Sequence, residues 1–371
     1  MNKIEQLIEE LCPQGVEFKT LGEVIKLKKG KQLNKEFLSE NGLYPAYNGG
    51  ISYSGFTNNY NYNENTIIIS QGGASAGFVN FVTTKFYANA HCYVVLTKTE
   101  VVKNRYAYHF LKLNQEKLTN KQHGAGIPAL KTSEVLDIPI PIPPLTIQKE
   151  IVKILDNFTR LEAELKAELE ARKKQYEHYR EELLSFGDDV EFRALGEVGK
   201  FLRGSAITKK ETTVGEIPVV ANAPIPICFH GESNRAGETI VVSRSGANCG
   251  LVSFWKQPIF VTDAFSIHLE TALLKPKFIY YFLKKNQKTI HSMKKGYGVP
   301  HVRVKDFEPY PVPIPPLSKQ KKIVAILDKF DALVNDISTG LPAEIAARKK
   351  QYEYYRNQLL TFKPLETQDV N

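Results

Sequence analysis

The chain has 371 residues, of which 42% are hydrophobic and 24% charged, with a formal net charge of +9. That length excludes a single small module, and the composition, close to that of ordinary globular proteins, excludes global disorder. The excess of lysine and arginine points to a polyanionic partner.

The opening segment MNKIEQLIEEL alternates acids with apolar residues and is no signal segment. No run approaches the roughly 18 apolar residues of a membrane helix, so a cytoplasmic protein without a membrane partner is expected. The four cysteines, Cys12, Cys92, Cys228 and Cys249, lie far apart with no CxxC pair, which predicts free thiols and no metal site.

In chain order, KIEQLIEEL from Lys3 has the spacing of a short amphipathic helix. FKTLGEVIKLKKG follows from Phe18, then NTIIISQGGASAGFVNF from Asn65 and a further run ending HCYVVL at Leu96. These β-branched and aromatic runs, parted by glycine turns, read as sheet. RYAYHFLKLNQEKLTN from Arg105 has helical spacing, and the proline alternation of IPIPIPPL from Ile138 forbids helix. An extended strap acting as a hinge is expected there.

Beyond the strap, residues 147–186 carry Ile147, Ile151, Ile154, Phe158, Leu161, Leu165, Leu169, Tyr176, Tyr179, Leu183 and Phe186 at steps of mostly four and three. That is the apolar seam of a rod about 40 residues and roughly 60 Å long.

The text then repeats at an offset of about 173. FRALGEVGKFLRG from Phe192 answers FKTLGEVIKLKKG, and ETIVVSRSGANCGLVSF from Glu238 answers NTIIISQGGASAGFVNF. YPVPIPPLSKQKKIVAILDKF from Tyr310 and ARKKQYEYYRNQLLTF from Ala347 nearly copy IPIPIPPLTIQKEIVKILDNF and ARKKQYEHYREELLSF. Residues 34–64 and 205–237 share little, so matched supports carry two different readers.

The second rod has Ile323, Ile326, Phe330, Leu333 and Ile337, then STGLPAE, then Ile345, Tyr352, Tyr355, Leu359 and Phe362. Gly340 and Pro342 predict two helices or a sharp bend. The fold class expected is α+β: two similar mixed α/β domains, 1–146 and 187–318, joined by two long antiparallel helices as a coiled coil. The helical regions are 147–186 and 319–371, and the whole is an internal pseudo-twofold repeat. Packing of the seams against the globular parts is the alternative.

Motifs for chemistry are missing. There is no GxxxxGK[ST] loop, and PIPPL lacks the polar residue before Pro-Pro and the aromatic after it that a nucleobase aminomethyltransferase uses. The clusters at Ser70 and Ser243 have β runs on both sides, unlike a nucleotide cradle.

The positive signal is charge. Residues 275–305 hold nine lysines and arginines and no acid, and residues 103–131 hold six against Glu116 alone. Each run ends in a glycine loop, HGAGIPALK and KGYGVPHVRVK, where backbone can approach a ligand closely.

Candidate DNA-binding residues are therefore Gln71, Gly72, Ser75, Lys121, His123, Gly124 and Lys131 in the first copy. The second copy offers Arg244, Ser245, Asn248, Lys294, Lys295, Tyr297, His301, Arg303 and Lys305. Arginine suits guanine edges, and asparagine or glutamine suits adenine; for any one of these an ordinary turn role is the alternative. His91 is expected to be buried within a strand.

The doubled LGEV at Leu21 and Leu195, the doubled PIPPL followed by Gln148 and Gln320, and RKKQYEYYRNQLLTF from Arg348 together resemble the specificity subunit of a type I restriction-modification system. The resemblance covers essentially the whole chain. It implies a non-catalytic subunit with two target-recognition domains, each reading one half of a split DNA site. Its helices would set the spacer and dock two methyltransferase (modification) subunits.

Double-stranded DNA and restriction/translocase subunits are the other partners implied. This chain would carry no cofactor, with S-adenosylmethionine and ATP/Mg on the partner subunits. Because the reader loops differ, the site should not be palindromic. Service to a fused restriction-methyltransferase polypeptide, or a coiled-coil scaffold that binds no DNA, are the alternatives.

Overall fold

A computed structural model of the protein describes residues 3–121, 128–208, 210–296 and 298–366. Its contacts divide the chain into two units, Met1–Leu165 with Ile345–Asn371, and Lys166–Glu344.

The first unit runs α1 (Lys3–Leu11), β1 (Phe18–Thr20), α2 (Leu21–Val24), β2 (Ile25–Lys29), β3 (Tyr44–Tyr47), β4 (Gly55–Thr57) and β5 (Thr66–Ser70). It continues through β6 (Val79–Val82), β7 (Tyr87–Ala88), β8 (Cys92–Thr97), α3 (Asn104–Leu113), α4 (Gln115–Asn120), α5 (Thr132–Leu136) and β9 (Pro139–Pro141) into α6 (Leu145–Leu183).

The second unit repeats the order as β10 (Phe192–Ala194), α7 (Leu195–Val198), β11 (Gly199–Arg203), β12 (Ile217–Val220), β13 (Cys228–His230), β14 (Thr239–Ser243) and β15 (Val252–Trp255). Then come β16 (Phe260–Val261), β17 (Ala264–Leu269), α8 (Pro276–Lys285), α9 (Gln287–Ser292), α10 (Val304–Phe307), β18 (Pro311–Pro313) and α11 (Leu317–Asn335). Helix α12 (Leu341–Leu359) returns, from Ile345 onward, to the first unit.

Sheet topology is the same in both units. The strand orders β2-β8-β5-β6 and β4-β3-β7 match β11-β17-β14-β15 and β13-β12-β16, and the ladder β1-β9 matches β10-β18. The unbroken apolar run of β5 follows from burial on both faces. Ile67 and Ile69 join the large helical core with Tyr93 and Val95, while Ile68 turns to a small core with Phe86 and Val94. Strand β14 divides in the same way, with Ile240 and Val242 on one side and Val241 on the other.

The strap is pinned rather than a free hinge. Ile140 is completely buried, the Leu21 amide donates to the Ile138 carbonyl (2.9 Å), and the Ile142 amide donates to the Glu17 carbonyl (2.8 Å). Just beyond it, the buried Gln148 donates from Nε2 to the Val101 and Pro143 carbonyls (3.0 and 2.9 Å) and accepts from the Lys103 amide (2.8 Å). Gln320 does the same for Leu273, Pro315 and Lys275 at 3.0, 2.8 and 2.8 Å. Each glutamine thereby fastens strap, rod helix and reader helix with one side chain.

The predicted seams need correction at their starts. Helix α6 buries Ile147, Ile151 and Leu155, and α11 buries Ile323, Leu327 and Val334, whereas Ile326 and Leu333 are 40% and 37% exposed and Ile337 is 85% exposed. Those buried residues belong to each reader's core, so their spacing follows a single face on a globular layer. Further along, rod meets rod within each unit: Phe158 stacks on Tyr355 in the first, and Tyr176 and Tyr179 stack on Phe330 in the second.

The break predicted at STGLPAE is present, with α11 ending at Asn335 and α12 starting at Leu341. The Asp336 carboxylate accepts from the Ser338 amide (2.7 Å) and the Thr339 hydroxyl (2.7 Å) in the turn between them. All four cysteines are free, and no helix among the described residues is long and apolar enough to cross a membrane.

Candidate nucleic-acid interface

In each unit the glycine turn that follows the central strand is stitched to the loop ahead of the strap. In the first unit the Gly73 amide donates to the Pro128 carbonyl and the Leu130 amide to the Gln71 carbonyl, both at 2.8 Å, with a bridge between Gly72 and Ala129. In the second unit the Gly246 amide donates to Pro300 (3.1 Å) and the Val302 amide to Arg244 (2.9 Å), with a bridge between Ser245 and His301. Gly73 and Gly246 adopt φ of +85° and +77°, where a side chain would be strained, which accounts for a glycine at both positions.

These pairings bring together Gln71, Gly72 and Lys131 in one unit, and Arg244, Ser245, His301 and Arg303 in the other. Ser75 and Asn248 sit on the same turns, accepting from the Phe78 and Leu251 amides through their carbonyls (both 3.0 Å). The Asn248 side chain donates to the Asn222 carbonyl (3.0 Å). Lys294 and Asn248 line a groove of about 550 Å³ with Gln287, Lys288 and His291. His123, Gly124 and Tyr297 lie outside the described residues.

The basic runs divide by burial. Lys277 pairs with Asp328 (2.7 Å), Lys284 donates to the Val252 carbonyl (3.3 Å), and Lys285 donates to the Ser185 hydroxyl (2.7 Å). Lys112 donates to the Val79 carbonyl and Gln115 Oε1 (3.2 and 2.8 Å), and burial pulls its pKa down to about 8. These side chains hold the fold, and their charge is not offered to a ligand.

Lys117, Lys121, Lys131, Lys288, Lys294, Lys295, Arg303 and Lys305 are exposed. Lys295 is paired with Asp306 (2.6 Å), and its hydrogen bond holds that carboxyl below the usual carboxylate range. Apart from Lys103, which is exposed at the start of the first run, these charges lie toward the loop end of each run.

Two residues were misjudged or overlooked in the sequence. His91 is not buried in a strand: it is exposed, on the turn before β8, and its carbonyl accepts from the Gln71 amide (2.8 Å). Asp263, at the matching place before β17, accepts from the Arg244 amide through its carbonyl (3.2 Å) and from Arg244 Nε through Oδ1 (3.2 Å). The signal available was positional, since aligned on the repeat each is a polar residue one step ahead of its strand.

Two similar mixed α/β units, with exposed lysines at the loop end of each basic run and a long helix joined to each, form an internal duplication. The profile of the type I restriction modification DNA specificity domain matches residues 13–171 and again 187–347. The chain belongs to that family.

It is 32% identical over 393 residues to a putative type I restriction enzyme specificity subunit of Haemophilus influenzae, covering 97% of this chain and 98% of that one. It is 30% identical over 403 residues to the EcoR124I/EcoR124II specificity subunit of Escherichia coli, covering 99% and 98%. The crystal structure of the S subunit of a type I restriction-modification system from M. genitalium superimposes with a TM-score of 0.73 over 93% of this chain and 96% of that one, at 23% identity.

Proposed function

We propose that this chain is the DNA-specificity subunit of a type I restriction-modification complex, in which each unit reads one half of a bipartite, non-palindromic site. The observation that carries this reading is the duplicated junction of glycine turn and pre-strap loop. It has the same backbone bonds in both units, different side chains at its edge, and exposed lysines beside it. Matched frames with unmatched letters suit two different half-sites, and exposed cations supply the sequence-independent attraction to phosphate.

The long helices would set the spacing between half-sites and dock two methyltransferase subunits. Those subunits would bring S-adenosylmethionine, and separate translocase subunits would bring ATP and Mg. This chain's own part is binding and placement. The protein is accordingly expected to be non-catalytic and to act in the cytoplasm.

Purification with a methyltransferase subunit, followed by sequencing of the adenines that the complex methylates, tests the reading. A split motif with a fixed gap is the expected result. One short continuous motif refutes bipartite reading, and methylation without any motif favours the scaffold alternative.

A further inference from the structure

Asp263 is fixed before any ligand arrives. Its second oxygen accepts from the Ser245 hydroxyl and from Nδ2 of Asn222 (3.4 Å), while the first takes Nε of Arg244. A guanidinium held through Nε has its plane and direction set, and its Nη1 and Nη2 hydrogens project as a fork. Arg244 is 47% exposed, and its terminal nitrogens have no partner among the described residues. It lines a cavity of about 150 Å³ with Arg203, Phe265, His301, Arg303 and Val304.

We propose that Arg244 reads a guanine in the half-site taken by the second unit, and that Asp263 is the positioning residue that aims it. This rests on the DNA-reading function proposed above. A fork of two parallel N–H donors matches O6 and N7 of guanine in the major groove, a pattern that no other base presents. A phosphate contact fits less well. A phosphate also accepts two parallel N–H donors, but the Asp263 carboxylate beside the guanidinium offsets its charge and repels an anion.

The first unit supports the assignment by contrast. The same two positions, joined by the same backbone bond, hold Gln71 and His91 (2.8 Å). A glutamine there lacks the guanine fork and suits adenine, so the two units should differ at this base.

The test uses the complex with its methyltransferase subunits and selects duplexes from a randomised pool. Wild type should select a split motif with one invariant guanine in the second unit's half-site. Arg244→Ala and Arg244→Lys should each lower discrimination at that base roughly ten- to a hundredfold and leave the other positions intact. The lysine variant keeps the charge but loses the fork, so it separates base reading from charge.

Arg244→Gln should move the preference toward adenine. Asp263→Asn should lose discrimination at that same position, with Arg244 still present. Full retention of the motif in the Arg244→Lys variant, or a loss spread evenly over all sequences with a shallower salt dependence, identifies a phosphate contact and overturns the assignment. If wild type selects no motif, the DNA-reading function itself fails, and that outcome is read before any variant is made.

Discussion

The Tyr352 hydroxyl donates to Nδ1 of His109 across 3.0 Å, although 243 residues separate the two in sequence. On its other side, His109 Nε2 donates to Oδ1 of Asp156 (2.8 Å), which also accepts from Nε of Arg105 (2.9 Å). The carboxylate only accepts, so the proton sits on Nε2 and Nδ1 is left to receive the phenol. One buried ring thus ties the reader helix α3 to α6 and α12.

This arrangement predicts acid sensitivity. Burial, the largest influence, holds the His109 pKa below its ordinary 6.5; Arg105 and Arg356 push the same way, and Asp156 opposes them. As pH falls through about 6.5, the unfolded chain takes up a proton that the folded ring refuses, so stability present above that pH is progressively lost below it. The Asp156 carboxyl is also held low: burial opposes this, but hydrogen bonds from His109 and Arg105 outweigh it, so its share is lost only below its ordinary 3.8. Urea midpoints measured at about pH 7.5 and about pH 5.5 should differ in wild type and differ less in His109→Tyr. That substitution installs the phenol found at the matching Tyr281, whose hydroxyl donates to Asp328 (2.6 Å). Identical pH dependence in the two proteins refutes the role given to the ring.

Gln148→Ala should cost roughly 2–4 kcal/mol, because it leaves two buried carbonyls and one amide unpaired and opens a small void. Gln320→Ala should cost a similar amount in the other unit. Gln148→Glu should be no milder, since it sets an oxygen against the two carbonyls that Nε2 now serves. Denaturant unfolding measures all three, and losses below about 1 kcal/mol count against the fastening described.

Gly340→Ala should strain the turn between α11 and α12. A Cβ there would lie 2.5 Å from the Ala332 carbonyl oxygen and 2.7 Å from that of Asp336, so backbone must move. A loss of about 1–3 kcal/mol is expected in chemical unfolding, whereas Ser338→Gly, which keeps the space open, should cost less.

Binding to duplex DNA should weaken linearly in log salt concentration, as it does when cations displace counterions from phosphate. Lys294→Gln and Lys305→Gln should each reduce the slope by about one, measured by fluorescence anisotropy at several salt concentrations. Lys284→Met should leave the slope unchanged, because that ammonium is half-buried against the Val252 carbonyl.

Much of this architecture was legible in the sequence because duplication exposes its own register. Glycines at 73 and 246 recur where φ is positive, Gln148 and Gln320 recur where three backbone groups need one amide, and Gly340 with Pro342 marks the helix break. What escaped was the choice between neighbouring apolar residues. Ile154 and Leu155 both fit a helical stripe, and only the assembled core of the first unit decides that Leu155 is the one fully buried. The Arg244–Asp263 contact was equally hidden, since it arises where β14 and β17 pair and neither residue carries the partner's identity in its own surroundings.

The division of the chain also orders its folding during synthesis. The unit Lys166–Glu344 is one uninterrupted stretch, complete as soon as it leaves the ribosome. The other must wait: Tyr352 and Leu360 belong to its core, the Val16 amide donates to the Lys363 carbonyl (2.9 Å), and the Leu365 amide donates to the Val16 carbonyl (2.9 Å). The residues translated first are therefore among the last to be sealed, and a nascent chain that has emerged from the ribosome only as far as residue 344 would present a finished second unit and an open first one.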